Sequence, residues 1–169
     1  CSNGVKEVHT YIAYVMHCGI WYNVMGNGAK GELHSAVKDL SQAYVYTGDE
    51  KYGRAGAILI DRIADVYPGY NLRLYPLDFS NSDGGAKRGK VLGSIWEIGI
   101  QHDFSAAYDA VFPMYDDPQV ISYLKEKARK FNLDNDKSDP EKIRTNIETG
   151  LLREIFETVC TSLHWRLLL

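Results

Sequence analysis

A chain of 169 residues, 45% apolar and 24% charged, can bury one core and is too apolar to stay disordered. A formal net charge of -3 gives no reason to expect nucleic acid as a partner. Three scattered cysteines (Cys1, Cys18, Cys160) form no CxxC pair, which argues against a disulfide framework or a zinc knuckle, and no apolar run reaches membrane-spanning length.

In chain order, Tyr11 to Trp21 is apolar and aromatic, with His17 its strongly polar member. It reads as a buried helix or turn, broken by Gly26, Gly28 and Gly31. Leu33 to Tyr46 follows helical spacing, with Leu33, Val37, Leu40 and Tyr44 on one face and His34, Lys38, Asp39 and Gln42 elsewhere. Thr47-Gly48-Asp49 predicts a tight turn, Gly48 as C-terminal cap and Asp49 as N-cap of the next helix. That helix places Tyr52, Ala55, Leu59, Ile63 and Val66 on one stripe, and Arg54, Asp61 and Asp65 on the other side.

Tyr67-Pro68-Gly69 ends the pair, and a long connector follows to Gly93. Within it Asn81 to Glu97 is Gly-rich and polar, with Lys87, Arg88 and Lys90 clustered just before a helix. Loops of this chemistry between helices are common ligand sites. The third helix is expected from Ser94 to about Val111, with Ile95, Ile100, Phe104, Tyr108 and Val111 inward. Asp117-Pro118 and Asp139-Pro140 each pair an N-cap with proline at the first helical position. The first starts a helix through Phe131, and Ile143, Ile147, Leu151 and Ile155 stripe the second. About five helices, no strand and no βαβ alternation predict an all-α arrangement of antiparallel helical hairpins.

Several segments resemble the helical domain of heparinase II/III-type polysaccharide lyases. They are Ala43 to Tyr52, Ile63 to Pro68, Asn81 to Gly85, Gly93 to Glu97, Ala107 to Pro113 and Asn146 to Glu154. Upstream, His17-Cys18-Gly19-Ile20-Trp21 is similar to an H-W-G-x-W segment of that domain, with Cys18 in place of tryptophan. The resemblance covers Tyr11 to Val159 and implies an incomplete (α/α) toroid around a glycan-binding cleft. Residues 1–159 are then a partial toroid domain, and 160–169 a divergent tail produced by truncation or a slipped reading frame.

Enzymes of that family cleave uronic-acid-containing polysaccharides by β-elimination, without a cofactor. A residue neutralises the uronate carboxylate and acidifies the C5 proton, a base removes it, and an acid assists the leaving oxygen. The catalytic residues are expected beyond this chain's last residue, so none is assigned here. Substrate binding falls on Asn81, Asp83, Lys87, Arg88, Lys90, Trp96, Glu97, His17 and Trp21. The three cations suit acidic sugars, and Trp96 suits stacking. Each has a plainer reading: a solvated loop, a turn, a buried tryptophan, a core histidine, or a carboxylate favoured at a helix start. Glu97, His102 and Asp103 do not converge on one helical face as metal ligands. The implied partner is an acidic polysaccharide, in a secreted or periplasmic bacterial setting, with no nucleic acid or membrane. Uncovered helix faces of a partial toroid predict self-association. The competing reading is a tetratricopeptide-like scaffold that binds peptides, although no second copy recurs at the required period.

Overall fold

The computed structural model describes residues 32–69 and 97–164, and every regular element in them is helical. The elements are α1 (Glu32–Thr47), α2 (Glu50–Val66), a 3-10 turn (Tyr67–Gly69), α3 (Glu97–Val111) and a second 3-10 turn (Phe112–Asp116). Then come α4 (Pro118–Phe131), α5 (Pro140–Ile147), a π-helical stretch (Glu148–Arg153) and α6 (Glu154–His164). Backbone angles stay right-handed helical from α5 through the π stretch into α6, so these three form one rod. Five rods result, as the periodicity predicts.

The helix ends form where the cap chemistry places them. Gly48 takes a φ of 67°, which a Cβ would resist, and its N–H donates to Tyr44 O at 2.8 Å. Asp49, Asp117 and Asp139 each accept a backbone N–H of the following first turn, from Lys51, Gln119 and Lys142. At the other end of α4, Asn132 adopts the left-handed conformation and stops the helix.

Two antiparallel hairpins lie side by side. Gly56 packs on Val111 and Gly53 on Met114, so α2 and α3 run in opposite senses. α1 and α3 run in the same sense: His34 meets Asp103 near one end, and Val45 and Tyr46 lie near Ala110 at the other. α2 and α4 also agree in sense, Arg54 reaching Asp117 before α4 and Asp65 meeting Asn135 after it. Residues 132–139 then lie along α2 as a strap. The last rod starts beside the turn 112–116 and ends its π stretch beside Tyr67–Gly69, so it runs with α2 rather than against it. Up-and-down alternation therefore holds through α4 and breaks at α5.

α2 is the centre of the core, and its inward face departs from the sequence expectation. The buried residues are Gly53, Gly56, Ala57, Ile60, Asp61, Ile63, Ala64 and Val66, while Tyr52, Ala55 and Leu59 are only half-buried. Small residues carry little weight in a hydropathy pattern, yet they are what lets α1 and α3 approach closely. Asp61 and Asp65 turn inward because a distant cation meets them there. On the last rod Ile143, Ile147, Leu151 and Ile155 are all fully buried as expected. A spacing of four drifts by about 40° per step on an α-helix with 3.6 residues per turn. The wider π turn between Ile147 and Ile155 offsets that drift, and the sequence reading did not include it.

Candidate functional site

Of the residues expected to bind substrate, Asn81, Asp83, Lys87, Arg88, Lys90, Trp96, His17 and Trp21 lie outside the described residues. Glu97 opens α3. Among the described residues no group of three or more His, Cys, Asp and Glu side chains is placed to hold a metal ion. No described helix is long and apolar enough to cross a membrane.

The described residues instead form a cleft of about 290 Å³ between α1 and α3. Ala106, Ala107 and Ala110 make a floor, because three methyl-sized side chains on one face of α3 cannot fill the space beside α1. Val45 and the almost fully exposed Tyr46 stand at one end; Lys38, His102 and Asp103 stand at the other, with Gln42 between.

Asp103 is the most constrained of these groups. Its Oδ2 lies 2.8 Å from His34 Nε2 and 3.0 Å from Lys38 Nζ, while Oδ1 lies 3.4 Å from His102 Nδ1. Burial pushes its pKa up, but hydrogen bonds from Lys38 and His102 and the fields of Lys38 and His34 outweigh that and hold it below the usual value. An ionised carboxylate only accepts, so His34 carries its proton on Nε2 and donates. Burial is also the largest effect on His34 and lowers its pKa against the pull of Asp103. His34 is thus a neutral, buried donor, packed edge-on against Phe104 with 5.7 Å between centroids. The sequence reading set His34 on an outward face. An imidazole on a helix reads as polar until a carboxylate 69 residues away is known to be its partner.

A second polar cluster is buried between α2, the strap and α5. Lys137 Nζ lies 2.5 Å from Asp61 Oδ1 and 2.8 Å from Asp65 Oδ1. The Asn146 amide donates to both carboxylates and the Asn135 amide donates to Asp65. Burial raises the Asp61 pKa despite Lys137, and Asp65 adds to the rise by like-charge repulsion. The cluster is closed to solvent and serves the fold.

On another face the Tyr108 hydroxyl donates to Glu148 Oε1 at 2.7 Å. Burial and then Glu148 raise its pKa well above that of a free phenol, so Tyr108 is a hydrogen-bond donor and not a base at neutral pH. Beside it the Arg144 guanidinium stacks on Phe112 at 4.5 Å and pairs with Asp116 at 2.6 Å.

No family model matches the chain, nor does any curated protein or solved structure.

Proposed function

We propose that the chain is the helical, glycan-binding part of a polysaccharide lyase acting on uronic-acid-containing polymers, contributing binding rather than catalysis. The observation that carries this reading is that the segments of the resemblance, far apart in sequence, meet one another. Tyr108 of Ala107 to Pro113 bonds Glu148 of Asn146 to Glu154. Asn146 bonds Asp65, and a Cβ on Gly150 would stand 2.9 Å from the Ala64 carbonyl oxygen, both partners lying in Ile63 to Pro68. Residue types kept for mutual contact are what a shared scaffold requires.

Two neighbouring hairpins with α1 beside α3 and α2 beside α4, each pair in the same sense, is also the register that an (α/α) toroid repeats. The strap that turns α5 around is foreign to a tetratricopeptide array, where alternation continues. The proposal is silent on the proton-abstracting residue because Tyr108 and His34, the described groups nearest to that role, are both held as donors.

Binding of the full chain to heparin and to alginate, each by calorimetry, tests the reading. Saturable binding to at least one polymer is expected, with no growth of the ultraviolet absorbance of unsaturated uronate. Absence of binding to every acidic glycan overturns it, and a sustained absorbance rise overturns the assignment of binding without catalysis.

A further inference from the structure

Every feature of the α1–α3 cleft bears on which sugar it would take. Its volume of about 290 Å³ lies at the low end of ligand pockets, which suits one ring and not a chain segment. One end is apolar, since Val45 is 62% and Tyr46 85% exposed beside the alanine floor. Rings whose C–H groups share one face cover such surfaces and leave their hydroxyls pointing sideways. The other end offers planar hydrogen-bonding groups: the Asp103 carboxylate, the Gln42 amide and the His102 imidazole.

Asp103 cannot turn away from that end. Its Oδ2 is occupied by His34 and Lys38, and the buried His34 ring fixes the plane of the carboxylate. Oδ1 is left on the cleft side with the 3.4 Å approach of His102. A fixed carboxylate accepts from adjacent hydroxyls and repels another carboxylate at the same distance. Lys38 does not reverse this preference, being already paired with Asp103.

We propose that the cleft between α1 and α3 is a subsite for one uncharged sugar ring, whose neighbouring hydroxyls donate to Asp103 and whose apolar face lies on Tyr46 and the alanines. This rests on the glycan-binding reading and narrows it. A polymer of uronate alone would place a charge in the cleft, so the substrate class is a mixed glycan in which uronic acids are interspersed with uncharged sugars.

The test compares methyl glucoside with methyl glucuronide, which differ by a hydroxymethyl group and a carboxylate, by NMR on the isotope-labelled full chain. The glucoside is expected to shift the amides of Gln42, Tyr46 and His102 saturably, with a Kd in the millimolar range typical of single rings. The glucuronide should bind roughly fivefold or more weakly at the same amides, the scale of a few-ångström like-charge contact near a surface. Asp103→Asn keeps the side-chain shape and removes the charge, so the ratio between the two sugars should fall to about one while the helical circular dichroism is unchanged. Tyr46→Ala, at an exposed position with little bearing on folding, should weaken both sugars. Equal or tighter glucuronide binding, a ratio that survives Asp103→Asn, or still cleft amides overturns the subsite. If acidic polymers bind while the cleft amides stay still, the subsite alone falls; if no glycan binds anywhere, the broader reading falls with it.

Discussion

The ammonium of Lys137 lies 2.5 Å from Asp61 Oδ1, and both side chains are 1% exposed. The two residues are 76 positions apart, and their contact is what pins the strap to α2. Removing an ammonium and two carboxylates from water is costly, and the three charges tolerate burial only together. Lys137→Met should therefore destabilise the chain by about 3–5 kcal/mol, because it leaves two buried carboxylates with reduced compensation. Adding Asp61→Asn should recover part of that loss. Denaturant midpoints of the single and double variants decide the matter, and additive losses in the double variant would show that the pair is not coupled.

Asp61 also gives the stability a defined pH dependence. Its folded pKa is raised, burial being the first cause, whereas the free value is 3.8. Folding thus favours its protonated form. The stabilisation from that proton is fully present below 3.8 and is lost as pH rises through the raised folded value. The stability of the wild type relative to Asp61→Asn, which has no such proton, should fall between pH 4 and pH 7. The loss caused by Lys137→Met should shrink toward pH 4, since protonating either carboxylate removes an uncompensated charge. Matched denaturation curves at several pH values read both effects, and a relative stability that rises over that range would reverse the assignment.

Three glycines separate conformational from steric cost. Gly48 has a φ of 67° and open space around it, so Gly48→Ala should cost about 1 kcal/mol through backbone strain alone. At Gly150 a Cβ would stand 2.9 Å from the backbone oxygen of Ala64, which cannot swing aside. Gly150→Ala should cost roughly 1–3 kcal/mol, more than the 0.5–1 that alanine returns in a helix. Gly99 in α3 has neither constraint, and Gly99→Ala should stabilise by roughly 0.5–1 kcal/mol. Thermal midpoints of the three variants should rank in that order, with only Gly99→Ala above the wild type.

Local chemistry was legible in the sequence, and long-range chemistry was not. Asp49, Asp117 and Asp139 cap helices because the bond each makes spans two or three residues, and Gly48 ends α1 for an equally local reason. The stripe Ile143, Ile147, Leu151, Ile155 was readable because each of its members is apolar. Asp61, Asp65 and His34 were read outward because hydropathy assigns charge to solvent, and their partners Lys137 and Asp103 lie more than 65 residues away. A signal for the cleft did exist in the three alanines Ala106, Ala107 and Ala110 on one face of α3. Small residues on a helix face read as easily as close packing, so the pattern could not tell a contact from a gap. The loop at Asn81 to Glu97, on which the sequence reading placed most of its binding residues, bears on the site only through Glu97 at the start of α3.

The π-helical stretch offers the sharpest check on how the last rod is held. Ile143 and Ile147 precede it, Leu151 lies within it and Ile155 follows, yet all four are fully buried on one side. Deleting Thr149, an exposed residue whose hydroxyl bonds only its own helix at Thr145 O, lets the stretch relax to ordinary α-helix. Everything after the deletion then turns by about 100° relative to α5, one residue's worth of rotation. Leu151 and Ile155 leave the core, and about 3–6 kcal/mol of burial is lost at roughly 1.5–3 per side chain. Thr149→Ala should leave stability nearly unchanged, because the same exposed position keeps its residue count. Denaturation of the two variants tells length from composition. If the deletion is as mild as the alanine substitution, the π turn is not what keeps the two halves of the rod in register.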